Sequence, residues 1–281
     1  MSENSSRCVV FFSGGAASWA AGKLAAEKYG RENTTLLFTD TMIEDADLYR
    51  FLDEGARNIG APLVRICDGR TPWQVFHDVG ILGNSRIDPC SRVLKREIAQ
   101  KWITDNFEPS ETSLVFGIDW TEAHRFERFD DASGKWLGVK HRYAKLGWPH
   151  VEAICTLAPT MAKWDIWAWM KREGLKRSRS YDDGFAHDNC GGACVKAGKA
   201  AWAHLLRRRP DVYARWESEE EAFNAARPDK RAQTILRDEF SGAPTQLVSL
   251  REFRLRLQSS PQSDLFDDWG GCGCFIEEDA A

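Results

Sequence analysis

The sequence lacks any long hydrophobic run. No window of its 281 residues approaches the roughly 18 consecutive apolar residues of a membrane span. The amino-terminal segment, MSENSSRCVVFF, has neither the basic start nor the small-residue cleavage site of a signal peptide. We therefore expect a cytoplasmic protein without membrane contact.

The sequence also lacks an excess of positive charge. Its 38 Lys and Arg against 42 Asp and Glu give a formal net charge of −4, which argues against a generally basic nucleic-acid-binding protein. The stretch 171–179 is a local exception, because its five bases and one acid give it a charge of +4. We interpret this stretch as a solvated face. Nucleic acid is therefore a disfavoured partner, although the total does not exclude it.

Cysteine, in contrast, is plentiful. In a reducing compartment the eight cysteines are expected to be thiols, and clustered ones more often bind metal or do chemistry than form disulfides. Two close pairs stand out, Cys190 with Cys194 and Cys272 with Cys274. Three others lie in apolar, strand-like contexts and are expected to pack in the interior: Cys8, Cys67 and Cys155.

Short apolar runs alternate with helix-like stretches over the first 120 residues. Strands are predicted at 7–12, 34–38, 62–66 and 113–118, and helices at 16–29, 45–59 and 92–107. This alternation is typical of βαβ units, so we predict an α/β fold with a doubly wound parallel sheet. We divide the chain into an adenine-nucleotide-binding α/β domain at 1–150 and a helical, Cys-bearing portion at 151–281 that completes the site.

Two segments between these parts carry further predictions. The segment 130–150 is irregular and is expected to form an insertion or hairpin. The segment 161–173 is predicted to be a helix that carries Trp164, Trp167 and Trp169. We expect these tryptophans to pack in the core rather than to stack on bases.

The segment SGGAAS, residues 13–18, lies between a predicted strand and a predicted helix. Glycines there let backbone N–H groups approach an anion, and the helix amino terminus adds partial positive charge. Ser13 and Ser18 add hydroxyl donors. The segment is not a P-loop, because no Lys follows its last Gly. On these residues alone, a tight turn that needs glycine for its geometry is an equal alternative.

The SGGAAS segment resembles the phosphate loop of the adenine nucleotide α-hydrolase superfamily and, within it, the phosphoadenosine phosphosulfate (PAPS) reductase family. Further segments resemble that family in the same order: FTDTMIEDADLYRFL, DPCSRVLKRE, GIDWTEAHR, TLAPTMAKWDIWAWMKREGL and SYDDGFAHDNCGGACVKAG. The resemblance spans roughly residues 7–200. It implies a Rossmann-like fold that binds an adenine nucleotide and an enzyme of sulfur metabolism.

The resemblance also implies roles for individual residues. The phosphate contacts are Ser13, Gly14, Gly15 and Ser18, the residues near the adenosine are Asp40 and Thr41, and those that meet the anionic reacting group are Lys95, Arg92 and Arg125. One position departs from the pattern. Many sulfurtransferases of the superfamily have Asp in the loop where this chain has Ala17, which leaves a role for Mg²⁺ open.

The spacing Cys190-x₃-Cys194 lets two thiolates share one metal. Reductases of the family that carry an iron–sulfur cluster use a tandem Cys pair in mid-chain, where this chain has only Cys90. Because a cluster usually takes four thiolates, we predict that Cys272 or Cys274 is the fourth ligand. The resemblance implies that the other of these two is a redox nucleophile. Zinc is the rival metal, and His187 keeps a Cys₃His site open.

Three functions are compatible with these features. The first is an adenylyl-sulfate reductase-like enzyme, in which a thiolate attacks the sulfonyl sulfur and a thioredoxin-like partner supplies the reductant. The second is an ATP-dependent sulfurtransferase that modifies nucleic acid, as in tRNA thiolation or DNA phosphorothioation. The third is a non-catalytic, metal-stabilised nucleotide sensor. The sequence does not predict the oligomeric state.

Overall fold

The computed structural model describes residues 6–238 and 245–259. Its strands are β1 (Arg7–Phe11), β2 (Thr34–Asp40), β3 (Leu63–Cys67), β4 (Thr112–Phe116), β5 (Arg128–Asp130), β6 (Lys135–Leu137), β7 (Val151–Ala153), β8 (Leu236–Asp238) and β9 (Gln246–Val248). Five of them form one parallel sheet in the order β3-β2-β1-β4-β7. This sheet confirms the predicted α/β fold.

The helices cover both faces of the sheet. They are α1 (Ala16–Tyr29), α2 (Ala46–Ile59), α3 (Pro72–Val79), α4 (Pro89–Ser91), α5 (Ile98–Asn106), α6 (Ala123–Phe126), α7 (Val139–Lys145), α8 (Ile154–Leu157), α9 (Lys163–Arg172), α10 (Arg179–Asp182), α11 (Lys199–Arg208), α12 (Pro210–Ala225) and α13 (Leu250–Ser259). Helices α1, α2 and α9 contribute to the core on one face, and α5 and α7 to the core on the other. A third apolar cluster joins α3 to α11, α12 and α13.

The local sequence explains the helix that follows β2. Helix α2 begins after Asp45, whose side chain accepts a hydrogen bond from the Asp47 N–H at 2.8 Å. It ends at Gly60, which has a φ of +80°, a conformation that glycine adopts without a steric penalty. Between these ends, Leu48, Leu52 and other apolar side chains at helical spacing are buried. The helix therefore packs one face onto the sheet.

Several elements differ from the predictions. The helix predicted at 92–107 begins with a π-helical segment, Arg92–Glu97, and becomes α-helical only in α5. A fifth strand, β7, joins the sheet beside β4, and sequence alternation did not indicate it because it has only 3 residues. The irregular segment after Phe126 contains the β5-β6 hairpin and α7, so the predicted insertion includes a hairpin.

Two packing predictions are wrong. Cys67 is exposed, because it is the last residue of β3 and β3 lies at the edge of the sheet. Trp164 is 62% exposed, whereas Trp167 and Trp169 pack partly buried against the core. Cys8 is buried as expected.

The structure leaves the predicted domain division untested and bears on membrane-spanning helices. The predicted division at residue 150 falls directly before β7, and it stays a prediction. Among residues 6–238 and 245–259, the longest helices are too short or too polar to cross a membrane.

Candidate nucleotide and thiol site

The phosphate loop connects the carboxyl end of β1 to α1. Gly14 in this loop has a φ of +83°, and a Cβ there would lie 2.8 Å from Leu48 Cγ, so the conformation and the packing both require glycine. The Ser18 hydroxyl donates a hydrogen bond to the Gly15 carbonyl at 2.8 Å. The loop is therefore fixed, with the amino terminus of α1 facing the carboxyl edge of the sheet.

A second glycine brings β4 against this loop. A Cβ on Gly117 would lie 2.6 Å from the Ser18 backbone nitrogen, a distance that no side chain tolerates. Gly117 directly follows β4, so the carboxyl ends of β1 and β4 meet at the start of α1. In open α/β sheets this is the edge at which ligands bind.

A cavity of about 330 Å³ opens at this edge, within the size range of small-molecule sites. Its lining includes four loop residues, Ser13, Gly15, Ala17 and Ser18, together with Lys95, Gly117, Asp119, Thr121, Glu122, Arg125, Lys163, Tyr181, His187, Asp188 and Asn189. The structure thus brings the phosphate loop, Lys95 and Arg125 together around one cavity.

The cations of the cavity come from three different elements. Lys95 is only 6% exposed and lies in the π-helical segment. Arg125 in α6 forms an ion pair with Glu122. Lys163 begins α9 and donates a hydrogen bond to the Ala186 carbonyl. Burial lowers the pKa of Lys163, while the charge of Glu122 opposes that shift. The three cations converge on one space and can bind an anion there.

Tyr181 closes one side of the phosphate loop. The backbone N–H of Ala16, the first residue of α1, donates a hydrogen bond to the Tyr181 hydroxyl at 3.2 Å. The ring of Tyr181 packs edge-on against Trp167, with centroids 6.0 Å apart, and Lys163 Nζ lies 5.2 Å from the Tyr181 ring centroid. The tyrosine hydroxyl thus takes a helix N–H group that would otherwise be available to a phosphate.

Asp188 is the unusual acid of the cavity. It is 5% exposed, and within the described residues neither of its carboxylate oxygens completes a hydrogen bond. Its pKa is raised to about 6, chiefly by burial. The hydroxyls of Ser178 and Ser180 lower the pKa, and the charges of Glu44 and Asp45 contribute to raising it. A buried carboxylate of this kind requires an explanation.

A smaller cavity of about 20 Å³ adjoins the first. Its lining includes Cys90, Cys190 and Cys194 as well as Lys95, so the structure brings the three described candidate ligands together. In the part of the chain that the structure describes, no group of three or more His, Cys, Asp or Glu side chains is arranged to hold a metal ion. The iron–sulfur cluster and its zinc rival therefore stay predictions.

Glu44 contacts three residues that line the smaller cavity. Its carboxylate accepts hydrogen bonds from the Thr41 hydroxyl at 2.9 Å and from the Cys190 N–H, and it lies 3.7 Å from Lys95 Nζ. Cys190 has a φ of +51°, which is rare for a residue with a side chain. The contact with Glu44 therefore holds a strained cysteine beside the buried lysine.

Other residues implied by the resemblance lie elsewhere. Asp40 accepts hydrogen bonds from the Tyr49 hydroxyl at 2.8 Å and from the Met42 N–H at 2.7 Å. Thr41 lines the smaller cavity, and Arg92 is exposed and pairs with Glu97 at 3.5 Å. Cys272 and Cys274 lie outside the described residues, so their roles stay predictions.

Comparisons with known proteins leave the activity open. No family model matches the chain. An uncharacterized protein of Methanocaldococcus jannaschii is 24% identical over 213 residues, which are 75% of this chain and 40% of that protein. The chain thus spans less than half the length of the curated relative that it matches.

Two solved structures are similar. One is the PAPS reductase of Candida auris in a phosphate complex, at 13% identity and a TM-score of 0.40, covering 64% of this chain and 77% of that one. The other is the NH₃-dependent NAD synthetase of Campylobacter jejuni with a nitrate ion, at 13% identity and a TM-score of 0.38, covering 82% and 89%. The strand order of the sheet, rather than these similarities, establishes the fold.

Sequence reasoning missed four residues of the site: Glu44, Lys163, Tyr181 and Asp188. Each lies in a segment that carries the family resemblance. Their positions in those segments were the only available signal, and they did not single out these side chains. The positions of Tyr181 and Asp188 at the site become visible only in the folded chain, where the segment after α9 lies against the start of α1.

Proposed function

We propose that the protein is an enzyme of sulfur metabolism that binds an adenylyl nucleotide and acts on it with thiols, as the PAPS reductase family does. The single observation that carries this proposal is the position of Lys95, which lines both the phosphate-loop cavity and the cavity of the three cysteines. A nucleotide bound at the loop would therefore lie on one side of the buried Lys95 ammonium group, with Cys90, Cys190 and Cys194 on the other. The candidate nucleophiles Cys272 and Cys274 lie outside the described residues.

The three cations of the cavity suit such a substrate. Lys95, Arg125 and Lys163 can offset the negative charge that develops on a departing nucleotide phosphate. The amino terminus of α1 adds N–H donors for the same phosphate. These groups bind and orient the nucleotide, and they require no metal at the cysteines.

In the reaction that we propose, a thiolate attacks the sulfonyl sulfur of an adenylyl sulfate. An S–S bond forms as the bond from that sulfur to the bridging phosphate oxygen breaks, and the nucleotide leaves with the electron pair. A dithiol partner of the thioredoxin type then supplies two electrons, so that sulfite is released and the dithiol is oxidised to a disulfide. Cys272 and Cys274 are the candidate nucleophiles.

The test is sulfite release from adenylyl sulfate or PAPS by the reduced full-length protein with thioredoxin under anaerobic conditions. The double variant Cys272→Ser/Cys274→Ser is expected to lose sulfite release and to keep nucleotide binding. The matched control Cys67→Ser, which changes an exposed thiol, is expected to behave as wild type. Full activity of the double variant would exclude both tail thiols as the nucleophile.

A second candidate function is favoured by exposed aromatic side chains. Trp120 and Trp164 are 47% and 62% exposed, and each directly precedes or follows a residue that lines the larger cavity, Thr121 or Lys163. Exposed aromatic rings can stack on the bases of a single strand. An ATP-dependent sulfurtransferase for nucleic acid is therefore the alternative. Pyrophosphate release from ATP that depends on added RNA or DNA would favour it.

A further inference from the structure

We propose that Asp188 supplies a carboxylate ligand to a divalent cation, Mg²⁺ in the cell, that enters the larger cavity together with the phosphates of a bound nucleotide. This inference rests on the part of the proposed function that places a nucleotide in the cavity. Neither the thiol chemistry nor the identity of the sulfur acceptor enters into it.

The first observation is the state of the Asp188 side chain. Only 5% of the surface of Asp188 is exposed. Among the residues that the structure describes neither carboxylate oxygen completes a hydrogen bond, although the hydroxyls of Ser178 and Ser180 lie near enough to lower its pKa. Buried carboxylates are paired, hydrogen-bonded or bound to metal. Because Asp188 lines the cavity, the missing partner can come from a ligand there.

The second observation is that the segment around Asp188 is held in place. The Arg209 guanidinium donates hydrogen bonds to the Ser180 hydroxyl at 3.1 Å and to the Gly191 carbonyl at 3.0 Å, so it fixes the chain on both sides of Asp188. The same guanidinium lies 2.9 Å from Asp45 and 2.9 Å from Asp183. Asp188 is thus positioned by its neighbours, while the nearby arginine is engaged by other acids.

The third observation is the charge of the cavity. Among the described residues, three cations line it, Lys95, Arg125 and Lys163, and so do three acids, Asp119, Glu122 and Asp188. With His187 neutral, these charges cancel. A nucleotide with about four negative charges, such as ATP or PAPS, therefore meets a lining without net charge. A divalent cation offsets half of that charge and gives Asp188 an opposite charge to bind.

A cation explains Asp188 better than direct contact with phosphate, because a carboxylate that faces a phosphate repels it. Mg²⁺ is usually held by one or two carboxylates, by substrate phosphates and by water rather than by a full cage of protein ligands. The loop offers no carboxylate for this purpose, because Ala17 lines the cavity at that point. Within 6–238 and 245–259 no three-ligand group stands ready for an ion, so the nucleotide has to complete the site.

The test measures binding rather than turnover. The affinities of the full chain for ATP and for PAPS are measured with Mg²⁺ and with EDTA, and Mn²⁺ binding in the presence of each nucleotide is followed by electron paramagnetic resonance. Wild type is expected to bind nucleotide more tightly with Mg²⁺. Asp188→Asn is expected to weaken Mn²⁺ binding in the ternary complex by at least about tenfold and to remove the effect of Mg²⁺ on nucleotide affinity.

Two further variants make the test specific. Asp182→Asn removes the same charge from the same segment, at a side chain that is 47% exposed and pairs with Arg177, and it is expected to behave as wild type. Asp188→Glu keeps a carboxylate and is expected to keep the Mg²⁺ effect. If Asp188→Asn fails to fold, Asp188→Glu and the wild-type comparison of Mg²⁺ with EDTA still decide the proposal.

The outcomes separate this inference from the proposed function. Wild type that binds nucleotide equally with Mg²⁺ and with EDTA overturns the cation site and leaves the proposed function intact. Asp188→Asn that weakens nucleotide binding equally in both conditions also overturns it, because the carboxylate then contacts the nucleotide directly. Wild type that binds neither nucleotide under either condition refutes the proposed function, and this inference with it.

Discussion

Under the proposed function, the hydroxyl of Tyr181 and a nucleotide phosphate compete for the same donor. That donor is the Ala16 N–H at the start of α1, which lies 3.2 Å from the tyrosine oxygen. A phosphate at the phosphate loop takes this N–H and displaces the hydroxyl. Tyr181→Phe removes the competitor and leaves the ring in place against Trp167. The variant is therefore expected to bind nucleotide more tightly than wild type.

The size of the effect follows from the hydrogen bond that is lost. A neutral hydrogen bond contributes about 0.5–1.5 kcal/mol net, and a 3.2 Å separation lies at the long end of the normal range. About 0.5–1 kcal/mol of stability is thus expected to disappear from the free protein. The nucleotide complex, in which the hydroxyl is already displaced, loses none of it. The dissociation constant is expected to fall about two- to fivefold.

Isothermal titration calorimetry with ATP and PAPS measures the affinity, and urea unfolding measures the stability. The control is Tyr29→Phe, which removes a hydroxyl that donates to Ser113 Oγ at 2.9 Å at the other end of α1. It is expected to lose similar stability with an unchanged dissociation constant. Weaker binding by Tyr181→Phe would refute the competition, since it would mean that the hydroxyl itself contacts the nucleotide.

Three other changes give further predictions. Lys95→Met is expected to weaken nucleotide binding by at least about tenfold, because hydrogen bonds to charged groups contribute about 1.5–3 kcal/mol. The control is Lys101→Met, which changes an exposed lysine. Equal nucleotide affinities of Lys95→Met and wild type would contradict the role of Lys95. Gly117→Ala places a Cβ 2.6 Å from the Ser18 nitrogen. Calorimetry is expected to show no nucleotide binding at the phosphate loop, and urea unfolding is expected to show a loss of about 1–3 kcal/mol of stability. Burial raises the pKa of Glu220 from 4.5 to about 7. Between pH 4.5 and 7 the folded protein therefore keeps a proton on Glu220 that the unfolded chain has lost. The free energy of unfolding is expected to fall by about 3 kcal/mol as pH rises through this range. Urea unfolding of Glu220→Gln across that pH range is expected to lack this slope.

The sequence predicted the fold where periodicity and length were sufficient. Helix α1 has the predicted bounds, Ala16–Tyr29, because an apolar strand and a glycine pair mark its start and a glycine follows its end. Strand β7 was missed, since 3 residues carry no alternation and their conformation depends on pairing with β4. The π-helical segment was missed for a similar reason. Its residues are ordinary helix formers, and nothing in their order indicates a wider turn.

The site residues also fall into those that the sequence could predict and those that it could not. The phosphate loop and the three described cysteines were predictable, because the residues that give them their chemistry are adjacent or closely spaced in the sequence or lie in segments that resemble the family. Tyr181 and Asp188 were not, because each acts through a contact with the start of α1 or with the cavity, more than 160 positions away in the chain. From the sequence alone, an aspartate in a polar stretch such as Asp188 is expected to be exposed to solvent. Only the folded structure shows that its carboxylate is buried without a completed hydrogen bond.

Lys95 lines both cavities, and the variants can show whether the thiols act on the nucleotide. Asp188→Asn and Tyr181→Phe alter residues that line only the larger of the two cavities, whereas Lys95→Met alters a residue that lines both. If nucleotide binding is the sole role of Lys95, all three variants release sulfite at the wild-type rate once nucleotide is saturating. If Lys95 also stabilises charge between thiol and phosphate, Asp188→Asn and Tyr181→Phe reach that rate at saturation and Lys95→Met stays slow. That contrast distinguishes a binding site beside incidental thiols from one active site.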